Sequence, residues 1–248
     1  MTRYPYTLTP GGPELVRNLF AAMAGCTPRR ATGSCLYLRC RYGENVFSLA
    51  EVFPGNILAT DEDPEALLFC RTHASAFGGR VSFRTMSFDA LEAEDSSMDF
   101  IIIDGVPLDL PASSLLQECR RVLKPAGIIG AATPFWKKEP VPVSIRELWE
   151  TKTNPVPTEE RLRSLFPRHG FSEPTLRDAS HTLQPFYRQF LKETERIAER
   201  GFAGFERHKA LIKRFKHETH VYLRGQGKSF MGYMTLHARN VPALTAEG

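Results

Sequence analysis

The stretch "CLYLRCRYGEN", Cys35–Asn45, decides how this chain is read. Its first four residues form a short apolar run of the kind that becomes a buried strand. Val46, Phe47, Leu49 and Ala50 then recur at helical spacing. Between them lies a tight turn with Arg39 and Arg41 ahead of a single glycine, Gly43. A strand passing through a short turn into a helix opens a βαβ unit, so the flanking sequence should alternate in the same way.

It does. Upstream, "PELVRNLFAAMAG" (13–25) spaces Leu15, Val16, Leu19, Phe20 and Met23 as a helix with proline at its start. Downstream, "NILAT" (56–60) is a second strand ending at Asp61. "DPEALLFCRTHASAF" (63–77) is a helix with an Asp N-cap and Pro at its first position. "RVSFRTMS" (80–87) and "MDFIIIDGV" (98–106) read as strands. "ASSLLQECRRVLKPAG" (112–127) reads as a helix stopped by Pro and Gly, and "IIGAAT" (128–133) as a further strand. "SIRELWE" and "TEERLRSLFPRHGF" (158–171) are helical. Residues 185–225 hold two or more amphipathic helices broken near Gly201 and Gly204, and "SFMGYMTLHAR" (229–239) is a strand at or near a sheet edge.

The expected fold is α/β: a Rossmann-like, doubly wound, mostly parallel seven-stranded sheet with an antiparallel last strand and a helical cap inserted before it. Residues 1–34 would form a cap segment and first helix. Residues 35–180 and 229–240 would form the Rossmann-like domain, and 181–228 the cap or lid. On such a sheet ligands bind beyond the carboxyl ends of the strands, which places the turn after Leu38 and Asp61 on one edge.

Composition narrows the rest. The 248 residues carry 42% hydrophobic side chains, enough for a sizeable core, and a net charge of +4, too small for a dedicated nucleic-acid binder. The five cysteines are odd in number and form no CxxC pair, so a zinc site is not expected. The start, "MTRYPYTLTPGG", has no apolar run, and no stretch reaches the length of a membrane span. The expectation is a soluble, cytoplasmic protein, monomer or homodimer, without a membrane or nucleic-acid partner.

The ordered set of motifs resembles the class I S-adenosylmethionine (SAM)-dependent methyltransferases of the small-molecule type. "ATDEDPEALLFCR" resembles that family's second strand, acidic terminus and helix. "SFDALEAEDSSMDFIIIDGV" resembles its loop acid and fourth strand. "LLQECRRVLKPAGIIGAA" is similar to its signature helix–turn–strand, and "GYMTLHAR" to its last strand. The resemblance covers about residues 10–180 and 229–240. It implies SAM as cofactor, S-adenosylhomocysteine as product, a small-molecule acceptor, direct in-line displacement and no metal. It also implies roles: Asp61, with Glu62 beside it, for the ribose hydroxyls; Asp89 for the adenine amino group; Phe88 for the adenine face; Asp104 where methyl donor and acceptor meet. The alternatives are ordinary ones: a loop acid or helix cap at Asp61, a turn residue at Asp89, a simple turn at Asp104-Gly105.

The family's first motif is degenerate. Its acid falls on Tyr37 and its first two glycines on Arg39 and Arg41, so only Gly43 matches, with Glu44 following. Glycines there allow positive φ and close approach of a ligand, and a guanidinium adds bulk. Three outcomes stand open. The arginines turn outward and SAM binds over Arg39, Cys40 and Gly43, with an arginine on the methionine carboxylate. They fill the pocket and leave a catalytically silent methyltransferase-like scaffold. Or they make an anion site for another ligand. A nicotinamide dehydrogenase is disfavoured, since its glycine signature is missing too.

Asp104, His181 and Tyr187 are the candidates for a catalytic base, none of them singled out. Thr9 and Gly11 are candidates for a segment closing over the cofactor. Phe186, Tyr187, Phe190, Phe202 and Phe205 read as core of the cap and as possible substrate contacts. The basic stretch Arg207–Lys228, with His208, His217 and His220, reads as a solvated helix face rather than a nucleic-acid surface, and the His217/His220 pair lacks a third metal ligand.

Overall fold

The computed structural model describes residues 9–26, 33–88, 90–106, 108, 112–150, 155–199 and 209–241. The elements in chain order are α1 (Gly12–Gly25), β1 (Ser34–Leu38), α2 (Glu44–Val52), β2 (Asn56–Asp61), α3 (Pro64–His73), β3 (Val81–Thr85), β4 (Met98–Asp104), α4 (Ala112–Val122), β5 (Leu123–Trp136), α5 (Val143–Trp149), α6 (Glu159–Arg168), β6 (Thr175–Asp178), α7 (Leu183–Glu199), α8 (Lys209–Arg224), α9 (Gly227–Phe230) and β7 (Met231–Arg239). Short 3-10 turns follow α3 and precede α7, at Ala74–Phe77 and Ser180–Thr182.

The seven strands form one sheet in the order β3-β2-β1-β4-β5-β7-β6. It is parallel from β3 to β5. β7 lies antiparallel between β5 and β6. The strand order reverses between β1 and β4. There Leu38 pairs with Thr60 on one side and with Ile103 on the other. That register aligns the carboxyl ends of β1, β2 and β4, which gathers Arg39, Asp61 and Asp104 on one rim.

Both faces of the central strands are buried, as a parallel sheet requires. Leu36, Leu38, Ile101 and Ile103 face α4 and α6 through Leu116, Cys119, Leu162 and Phe166. The alternate residues Cys35, Tyr37, Phe100 and Ile102 face α1 and α2 through Leu19, Met23, Val46 and Leu49. A third cluster lies under α5, α7 and α8. It joins Ile145, Leu183, Tyr187 and Tyr222 to Ala132, Trp136 and Tyr233 of the sheet.

Local chemistry sets several boundaries. Asp63 Oδ1 accepts from the amides of Glu65 (2.9 Å) and Ala66 (3.4 Å), capping α3 ahead of Pro64. Thr158 caps α6 by accepting from the Arg161 amide at 3.3 Å. Four expectations are corrected. The helix expected over 112–127 ends at Val122, and the "LKPAG" segment is already strand. Pro125 cannot donate to a helix, and Ala126 turns at φ 62°. The helix expected over 63–77 gives way to a 3-10 turn after His73. The strand expected over 80–87 spans Val81–Thr85. The last strand starts at Met231, after the short helix Gly227–Phe230. Gly201 and Gly204, where the cap helices were expected to break, lie outside the described residues. Among the described residues, no helix is long and apolar enough to cross a membrane.

Candidate functional site

The rim is built first from the main chain of the β1–α2 turn. Arg39 (φ 65°), Arg41 (φ 50°) and Gly43 (φ 80°) all take the left-handed conformation. The backbone therefore follows the path glycines would take, at a cost of about 1–2 kcal/mol for each arginine. Tertiary bonds hold it there. The Cys40 amide donates to Thr60 O at 2.9 Å, and the Gly43 amide to Cys40 O at 2.9 Å. The Arg41 amide donates to Asp61 Oδ2 at 2.7 Å. The Cys70 thiol donates to Arg41 O at 3.3 Å, with the buried Cys40 thiol 3.7 Å from the same carbonyl.

Asp61 is 8% exposed. Its second oxygen accepts from the Asp63 amide at 3.0 Å. Two N–H groups occupy about half of the roughly four acceptor positions of a carboxylate. Glu62, beside it, is exposed, and Phe88 is half-buried against the α4 side of the sheet. Asp89 lies outside the described residues.

Asp104 closes β4 at 3% exposure. Its Oδ2 accepts from Tyr37 Oη (2.8 Å) and Asn45 Nδ2 (2.7 Å), and Asn45 Nδ2 also donates to Thr9 Oγ1 at 2.8 Å. Three buried polar atoms of this group have no hydrogen-bond partner among the described residues: Asp104 Oδ1, Asn45 Oδ1 and Tyr233 Oη. Burial, reinforced by the neighbouring Asp104 carboxylate, raises the pKa of both Tyr37 and Tyr233, so both phenols keep their protons.

Arg39 reaches across the switch point. Its Nη1 donates to Gly105 O, joining the end of β1 to the end of β4. Burial and then the Arg41 charge hold its pKa below the ordinary arginine value. The Arg41 guanidinium lies over the same glycine, where its Nη2 would be 3.3 Å from an added Cβ. Between Thr9, Cys40, Arg41, Tyr42, Glu44, Asn45 and Asp104 only about 10 Å³ remains, room for one water.

The remaining candidates lie elsewhere. Gly11 and His181 line a groove of about 320 Å³ between α1 and α7, with Leu15, Thr182, Phe186 and Gln189. Tyr187 is buried inside the cap. Its hydroxyl donates to Glu218 Oε1 at 2.6 Å, and Trp149 Nε1 donates to the same oxygen at 2.9 Å. Burial raises the Glu218 pKa against these bonds. Phe186 and Phe190 pack on Phe215, with ring centroids 6.0 and 4.2 Å away. Phe202, Phe205, Arg207 and His208 lie outside the described residues. Among those described, no three His, Cys, Asp or Glu side chains are grouped to hold a metal.

Asn45 and Tyr233 were not anticipated in the sequence. Asn45 carried a usable signal, a polar residue in the first turn of an otherwise buried helix. Tyr233 carried none, because only the placing of β7 beside β5 brings it to this rim.

Residues 36–127 match the family model of a methyltransferase domain. No curated protein sequence matches the chain. Among solved structures, a protein described as a sarcosine dimethylglycine methyltransferase of Galdieria sulphuraria is similar at TM-score 0.76 and 19% identity, over 92% of this chain and 85% of that one. The [4+2]-cyclase SpnF is similar at TM-score 0.76 and 20% identity, over 96% and 89%. A phosphoethanolamine N-methyltransferase 2 of Haemonchus contortus, in complex with S-adenosylhomocysteine and phosphomonomethylethanolamine, is similar at TM-score 0.73 and 15% identity, over 94% and 54%. Residues 36–127 are thus similar to a methyltransferase domain, and the chain as a whole has the Rossmann-like fold of these solved structures.

Proposed function

We propose that the chain binds SAM on the rim around Asp61 and transfers its methyl group to a small-molecule acceptor by direct in-line displacement. The observation that carries this reading is Asp61. It ends β2 on the ligand-binding edge, and its carboxylate keeps acceptor positions beyond the two amides that orient it. Asp104 Oδ1 and Asn45 Oδ1 on the same rim, unpartnered among the described residues, suit a ligand that donates hydrogen bonds. The methyltransferase-domain match and the S-adenosylhomocysteine complex of the Haemonchus contortus protein support the choice of cofactor.

When bound, SAM supplies a methyl group already activated on a sulfonium. The chain's own residues supply orientation. Asp61 holds the nucleoside end, and the turn through Arg39, Cys40 and Gly43 lies along the methionine end. Asp104, fixed by Tyr37 and Asn45, faces the reacting end and is the first group to test for proton removal from the acceptor. His181, on the neighbouring groove, is the second. Tyr187 is committed to Glu218. Phe88, Glu62 and Asp89 remain proposals for the adenine and ribose surroundings.

A specific observation favours a second reading, a catalytically silent scaffold. Arg39 bridges β1 to β4, and the cavity beside Arg41 holds only about 10 Å³. The similarity to a [4+2]-cyclase adds that this fold by itself does not choose a reaction.

Calorimetric titration with SAM and S-adenosylhomocysteine separates the two readings. The enzyme reading expects micromolar binding that weakens at least about tenfold in Asp61→Ala, the loss of charge-assisted bonds. Absence of binding by the wild type, with binding gained in Arg39→Gly/Arg41→Gly, establishes the closed pocket instead.

A further inference from the structure

The Arg39–Gly105 bond spans the point where strand order reverses, which is where a doubly wound sheet receives its ligand. It connects a side chain of one wall to a main-chain carbonyl of the other. Any ligand entering there must break it, leaving Gly105 O without a donor and the guanidinium without an acceptor. Gly105 stands next to Asp104, whose Oδ1 is buried and unpartnered, and a Cβ on Gly105 would be 3.7 Å from the equally unpartnered Tyr233 Oη. The crevice therefore needs both a hydrogen-bond donor for Gly105 O and Asp104, and an anion for Arg39. One group that offers both within a few bonds is an α-amino acid, with its ammonium and carboxylate.

We infer that Arg39 is a latch and a specificity residue: its guanidinium closes the crevice on Gly105 O, and a ligand opens it by drawing that guanidinium onto its own carboxylate. Arg39 thereby turns an obstruction into a requirement. A nucleoside lacking the carboxylate breaks the latch with nothing to offer in return, whereas one bearing an amino-acid tail replaces both lost partners. Arg41 is the poorer candidate for this role. Its main chain already holds Asp61, and the residue has further interactions of its own. Arg39 makes a single bond to an exchangeable carbonyl. The inference rests on the cofactor reading above.

The test compares two nucleosides in calorimetry, S-adenosylhomocysteine and 5′-methylthioadenosine, which share adenosine and sulfur but differ in the amino-acid tail. Wild type is set against Arg39→Gly and Arg39→Lys. Glycine accepts the φ of 65° at this position, so the turn is retained. Wild type is expected to prefer S-adenosylhomocysteine strongly. In Arg39→Gly that preference shrinks by about tenfold or more, the worth of one bidentate charged contact. Methylthioadenosine binding holds or tightens, because the latch is gone. Lysine restores part of the preference. An unchanged preference in Arg39→Gly overturns the inference, as does equal binding of both nucleosides by the wild type; in either case the cofactor reading stands. If neither protein binds either nucleoside, the cofactor reading fails and the inference fails with it.

Discussion

Asp99 shows how one carboxylate ties the amino ends of three strands. Its Oδ2 accepts from the Ser34 amide at 2.9 Å and from Lys124 Nζ at 2.8 Å, joining the starts of β1, β4 and β5. Burial by itself raises its pKa; the Lys124 bond and the Ser34 amide outweigh it and hold the group below the ordinary carboxylate value. A carboxyl lowered in the folded state contributes its full stability above the unfolded value of about 3.9 and loses it as pH falls through the folded value. The urea midpoint of wild type should therefore exceed that of Asp99→Asn at pH 7, and the gap should shrink as pH drops below about 4. A gap independent of pH would show that the charge is irrelevant. On the opposite rim, Arg39 and Arg41 adopt left-handed backbone although they lack glycine's freedom. Their turn is held by the Thr60 carbonyl and the Asp61 carboxylate rather than by local preference.

Elements meet through single well-placed polar side chains as much as through apolar area. The α4–β5 junction is the case in point. Asn240, 6% exposed, directs its amide nitrogen at the carbonyls of Leu123 (3.1 Å), Lys124 (3.2 Å) and Arg120 (3.4 Å). Its own amide donates to Gly127 O at 2.8 Å. These contacts satisfy the carbonyls left bare where the helix stops at Val122 and the chain turns through Ala126. Asn240→Ala should lower stability by about 1–3 kcal/mol, the penalty for buried carbonyls stripped of their donors, measured by chemical denaturation. A change within about 0.5 kcal/mol would mean that water replaces the amide there.

At the scale of the whole molecule, the cap and the sheet share one core boundary. Trp136 and Trp149, the chain's only tryptophans, sit in the cluster that joins α5, α7 and α8 to Ala132 and Tyr233. Trp136 Nε1 also donates to Glu150 Oε1 at 2.6 Å. Tryptophan fluorescence therefore reports the boundary where α7 and α8 meet the sheet, and far-ultraviolet circular dichroism reports sheet and helices together. The two denaturation curves should coincide, because loss of the cap would strip apolar surface from β5 and β7. Curves that separate would make the cap an independent cooperative unit.

The division between sequence and structure follows how far each signal reaches along the chain. The sequence by itself determined the alternation of strand and helix, the helix opened by Asp63-Pro64, the apolar strand before Asp104 and the departure from glycine at Arg39 and Arg41. Each of these rests on neighbours a few residues apart, where periodicity and backbone preference act. Only the tertiary structure decided that "LKPAG" joins a strand, that Asp104 is held by Tyr37 and Asn45 with Thr9 behind them, and that Tyr233 reaches the same rim. These depend on strand order and register, which bring together residues more than two hundred positions apart. It also decided where the two guanidiniums go, because a side chain at the mouth of a crevice takes its direction from the far wall, here the carbonyl of Gly105.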